Sequence, residues 1–141
     1  MDSEIQGKGF FSATSKKSIQ DFIESFRENA GQFGFGVRHV FSMKEEYKEH
    51  NVDVDDTFEL YQIILCNFER SYETIKRNIE TAAVLLQPKQ VVVCDNKGIT
   101  TVYYLPFTKE FITHALPDNE RLQQGLPSTC HRIIKVIEVS L

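Results

Sequence analysis

Between residues 19 and 30 the apolar positions recur with helical spacing. Ile19, Phe22, Ile23, Phe26 and Ala30 fall on one face. Ser18, with Asp21 three residues later, fits a capping box, in which a hydroxyl and a carboxylate satisfy backbone N–H groups of the first turn. Gly31 and Gly34 close this helix, and residues 8–14 form a strand before it. The period then changes to two. Phe35, Val37, His39 and Phe41 alternate with Gly36, Arg38, Val40 and Ser42, which predicts a second strand with His39 on the apolar face. Ser42 and Glu45 make another capping box, opening a short helix to His50, and Asn51 suits a left-handed closing position. Residues 58–66 are apolar on both faces except at Glu59 and Gln62, the pattern of a covered central strand.

Asn67 is a good N-cap for the next helix, whose buried face carries Tyr72, Ile75, Ile79, Ala82 and Leu86. Residues 90–94 and 99–105, joined by Asp95-Asn96-Lys97-Gly98, form a hairpin. Thr108 caps a short helix holding Phe111, Ile112 and Ala115, and Pro117 and Pro127 punctuate the remainder of the chain. In residues 133–139 the β-branched side chains favour a strand. Ile133, Ile134, Ile137 and Leu141 also fit a helix face that Ser128 or Thr129 would cap, and we read the segment as a helix.

The order is β-α-β-α-β-α-β-β-α-α. Residues 43–57 reach the crossover of about a dozen residues that parallel strands require. The expectation is an α+β fold with a mixed sheet of about five strands covered by helices. With no internal repeat or linker, residues 1–141 make one domain, with residues 1–7 as a loose leader.

Composition narrows the function. Of 141 residues, 41% are hydrophobic and 26% charged, the balance of a globular chain. A net charge of -4 argues against a nucleic-acid partner. The acidic start, Met1-Asp2-Ser3-Glu4, is unlike a signal peptide, and no apolar run approaches the roughly 20 residues of a membrane span. Cys66, Cys94 and Cys130 are scattered and odd in number, and no Cys-x-x-Cys occurs. The expectation is a soluble cytoplasmic protein with reduced thiols, no membrane partner, no metal and no cofactor.

The pair Cys66-Asn67 is the main candidate site. It ends the central strand and opens a helix, where free N–H groups and the helix dipole favour an anion. In open α/β sheets ligands gather outside the carboxyl ends of strands. The same field would activate the Cys66 thiol. Against this, cysteine is a common small core residue and asparagine an ordinary cap. Parallel pairing would bring Ser42 beside Cys66, and His39 and Tyr61 would supply further contacts. His39 alone, without a defined partner, specifies no chemistry. His50, Asp53, Asp55 and Asp56 lack the spacing of a calcium loop and read as a solvated acidic loop.

Several pieces, in order, resemble one family. They are Phe33-Gly34-Phe35-Gly36-Val37, Tyr61-Gln62-Ile63-Ile64-Leu65-Cys66-Asn67, the run from Leu85 through Pro88 and Lys89 to Val93, and Tyr103-Tyr104-Leu105-Pro106-Phe107. From about Ser18 onward the chain resembles the domain of unknown function 302 family. Members often carry Cys-Asn-Pro at the second piece and Leu-Pro-Cys before the valine run. Here Phe68 replaces the proline and Lys89 stands where the second cysteine would be, which undermines a paired-thiol mechanism. The resemblance implies an α+β domain, self-association as a homodimer and a C-terminal helix. The function expected is a small binding or interaction protein that holds a small or anionic ligand at the crevice near Cys66-Asn67. The alternatives are a thiol-dependent enzyme or sulfur/redox carrier using Cys66, and a structural subunit of a larger complex.

Overall fold

The computed structural model describes residues 9–141. The expected leader, and the first residue of the expected first strand, lie outside these. The elements are β1 (Phe11–Ser15), α1 (Ile19–Gln32), β2 (Gly36–Ser42), α2 (Met43–Glu49), β3 (Leu60–Cys66) and α3 (Phe68–Arg77). A 3₁₀ turn (Ile79–Thr81) leads to α4 (Ala82–Leu85), β4 (Gln90–Asn96), β5 (Ile99–Tyr104), α5 (Lys109–Ala115) and α6 (Glu120–Ser140). The α+β class and the five strands are as expected.

The sheet order is β1-β5-β4-β3-β2, and every neighbouring pair is antiparallel. The expected mixed sheet is therefore corrected. Residues 43–57 do not cross over the sheet. Their helix, α2, buries no residue, so it gains little by lying across a face, and the chain returns beside the strand it left. Gly36 faces Cys66, and Ser42 faces Tyr61.

Helices α1 and α6 share one face of the sheet. Phe22, Phe26, Ile133 and Ile137 interlock there with Phe11, Ile63, Leu65, Val91, Val93 and Val102 in a single core. A second cluster gathers Leu85, Ile112, Leu116, Leu122 and Leu126. On the other face of the sheet, Phe10 packs edge-on against Tyr103, and Phe41 is exposed.

A register shift between Val37 and His39 breaks the alternation of β2. Phe35, Val37 and Val40 belong to the core, whereas His39 is exposed and stacks on Phe41 at 5.2 Å between ring centroids. The placement of His39 with Phe35 and Val37 is corrected: the bulge inserts one residue and turns the strand's remainder over. The buried face expected after Asn67 is also corrected. Tyr72 is 65% exposed and Ile79 76%, and α3 buries no residue. The Asn78 break and the 3₁₀ turn end its phase, so Thr81 and Leu85 turn inward instead. Pro127 does not punctuate the last helix. Asn119 caps it, accepting from the Leu122 amide at 3.1 Å, and the helix continues through the proline.

Candidate functional site

Asn67 closes β3 and starts α3. Its side-chain oxygen accepts from the Arg70 amide at 3.2 Å, which leaves the first amides of the helix without intrahelical partners. Because α3 packs so little of itself away, a gap of about 290 Å³ remains between it and α6, with Lys89 at its floor. Five cationic side chains, Arg70, Arg77, Lys89, Arg121 and Arg132, line this crevice against two carboxylates, Glu69 and Glu73. Glu73 is already paired with Lys76 at 3.2 Å. A chain of net charge -4 thus concentrates positive charge at one place.

Lys89 is the unusual member. It sits just before β4, its carbonyl accepting from the Leu65 amide at 2.8 Å. Only 3% of it is exposed, yet among the described residues its ammonium has no carboxylate partner and no side-chain hydrogen bond. Burial lowers its pKa below the ordinary 10.5, and nearby Arg132 acts in the same direction; Cys66 and Cys130 oppose it. Arg132 is fixed by donating from Nη1 to the Phe33 carbonyl at 2.8 Å, with its guanidinium 5.0 Å from the centre of the Phe35 ring. Burial and the Arg70 guanidinium pull it below the usual arginine range. Behind Lys89, the Tyr104 hydroxyl donates to the Pro88 carbonyl at 2.6 Å. Its own ionisation is pushed far up by burial and by Cys130.

The glycine-rich piece shapes the crevice wall. Gly34 has φ +86°, and a Cβ there would meet the Asn67 amide nitrogen at 3.5 Å and Arg132 Nη1 at 3.7 Å. At Gly36 a Cβ would lie 2.6 Å from the Phe68 ring. Phe33-Gly34-Phe35-Gly36 thus supplies the carbonyl and ring that hold Arg132, and the space in which α3 begins.

Of the residues singled out from sequence, Asn67 lines the crevice. Cys66 is 5% exposed, adjoins Lys89 and does not line it. Ser42 and Tyr61 pair with each other at the opposite end of β3, roughly 17 Å of extended chain from Cys66. The expected meeting of Ser42 with Cys66 is corrected, because antiparallel pairing sends those strand ends apart. Ser42 is occupied in capping α2, accepting from the Glu45 amide at 3.2 Å. Sequence reading missed Lys89, Arg132, Arg70 and Arg121 as site residues. The lysine beside a run of valines was the available signal. The arginines come from two helices distant in sequence and left none.

The described residues hold no group of three or more His, Cys, Asp or Glu side chains suited to a metal ion, and none of their helices is long and apolar enough to cross a membrane. No curated protein matches the chain. A crystal structure of the uncharacterized conserved protein DUF302 from Bacillus stearothermophilus is 19% identical, covering 96% of this chain and 97% of that one, with a TM-score of 0.68. A likeness at this identity speaks for the fold. The family model described as domain of unknown function DUF302 matches residues 11–139, and the chain belongs to that family.

Proposed function

We propose that the protein binds a small anion in the crevice between α3 and α6. One observation carries this reading: Lys89, only 3% exposed, lines the crevice, and among the described residues no carboxylate pairs with its ammonium. A buried charge without a partner costs several kcal/mol. A fold tolerates that cost where a ligand completes the pair. The α3 N-terminus adds favourable potential on the same side, and guanidinium groups suit bidentate contacts to carboxylate or phosphate.

Titration calorimetry with inorganic phosphate and with a small dicarboxylate tests it. Wild-type protein should bind at least one of them, and Lys89→Met should weaken that binding about tenfold or more, the equivalent of roughly 1.4 kcal/mol. Equal affinity in both proteins would remove Lys89 from the site, and no binding by wild type would end the reading.

The alternative of a thiol-dependent enzyme or sulfur carrier needs a reachable Cys66 sulfur. Its 5% exposure supports a packing role. Slow labelling of native protein by iodoacetamide is the expected outcome, and fast labelling at Cys66 would restore the alternative. Three free cysteines support residence in the reducing cytoplasm.

A further inference from the structure

An amine held at the bottom of a cationic crevice has a chemistry that simple charge pairing does not use. We infer that the Lys89 amine captures the carbonyl carbon of a small anionic carbonyl compound, a 2-oxo carboxylate or a phosphorylated aldehyde or ketone, as an imine. The inference rests on the anion-binding reading above, because the arginines must hold the ligand's anionic group while the amine reacts.

Geometry carries it. Lys89 is 3% exposed, lines the crevice and, among the described residues, has no side-chain hydrogen bond or ion pair that would hold its ammonium in the charged form. Arg70 and Arg121 approach the same space from α3 and α6, so an anion seated between them is delivered to the amine. The cavity of about 290 Å³ admits a molecule of a few carbons. A desolvated lysine next to another cation is the recognised form of an amine nucleophile. Burial lowers the amine's pKa against the opposing influence of Cys66 and Cys130, with Arg132 adding to burial, which makes the neutral, nucleophilic form more accessible than in an exposed lysine.

The reaction balances without a co-reactant. The neutral nitrogen attacks the carbonyl carbon, forming the C–N bond, and the oxygen takes a proton to give a carbinolamine. Loss of the hydroxyl with the remaining nitrogen proton releases one water and leaves the imine. Nothing is oxidised or reduced. Cys66 and Cys130 adjoin the nitrogen, but no bond to sulfur is required.

The full chain is incubated with pyruvate in one arm and dihydroxyacetone phosphate in another, with sodium cyanoborohydride to fix any imine as a stable secondary amine. The expected result is one adduct per chain, mapped by peptide mass spectrometry to Lys89. It should form at least tenfold faster than adducts at exposed lysines such as Lys76, and excess inorganic phosphate should suppress it. The faster arm tells carboxylate from phosphate. Lys89→Arg removes the amine nucleophile and should lose the adduct. If phosphate or dicarboxylate binds at the crevice but adducts spread evenly over surface lysines, imine capture is overturned and the anion site stands. If neither anion binds nor adduct forms, both readings fall.

Discussion

Lys89 sets two demands against each other. As a largely buried cation without a counter-ion among the described residues it strains the fold, and as part of a cationic crevice it faces the space where a ligand would sit. Removing its charge while keeping its length should therefore stabilise the protein. Lys89→Met is expected to raise the unfolding free energy by on the order of 1 kcal/mol at pH values where the folded lysine is protonated, read from urea denaturation. The effect has a pH signature. The folded pKa lies below the unfolded 10.5, so between the two values the unfolded chain binds more protons and stability rises with pH. Below the folded value both states are protonated and the burial penalty is fully present. The advantage of Lys89→Met should thus be largest below the folded pKa and shrink as pH climbs from there towards 10.5. A variant less stable than wild type at every pH would mean that Lys89 has a partner in the fold.

Among the elements, α3 departs most from its sequence pattern, and its start matters most to the site. Asn67 serves it twice, as cap and as crevice wall. Asn67→Ala should cost about 1 kcal/mol in stability through the lost cap. Asn67→Asp separates the two roles. Aspartate caps as well as asparagine, so denaturation should be nearly unchanged, while its charge repels an incoming anion and should weaken phosphate binding severalfold. Equal phosphate affinity in Asn67→Asp would detach the crevice from the helix end. The last helix shows the opposite balance. A proline inside a helix costs about 3 kcal/mol, yet α6 runs through Pro127 because it buries Leu122, Leu126, Cys130, Ile133 and Ile137 on both sides of it. Each such side chain contributes roughly 1.5–3 kcal/mol on burial, which outweighs the break.

For the whole molecule, the two faces of the sheet differ. One is closed by α1 and α6, while the other presents Phe41 exposed, with Phe10, Val92 and Tyr103 partly so. Exposed apolar side chains favour association where they form a contiguous patch, and none of these four residues carries a charge that would repel an identical copy. A homodimer through this face is the expected assembly. Analytical ultracentrifugation at tens of micromolar should give twice the chain mass of 16.3 kDa, and Val92→Lys should return it to monomer. A wild-type monomer at that concentration would exclude the dimer.

Ser18, Ser42, Asn67 and Thr108 were legible as caps, and Ile19 to Ala30 as a helix face, because capping and helical periodicity are satisfied by residues a few positions apart. The hairpin of β4 and β5 was equally local. What lay between distant segments was not written in any short window. The direction of β3 against β2 depended on whether α2 crosses a face or turns back, and the face of His39 depended on a one-residue bulge fixed by pairing with Ile64. The crevice is the extreme case. Arg70, Lys89, Arg121 and Arg132 are each unremarkable in sequence, and only the packing of α6 on the sheet, beside α3, brings their charges around one space. Local preference chose the elements; burial of the apolar stripes on α1 and α6 chose their arrangement, and with it the crevice where positive charge converges.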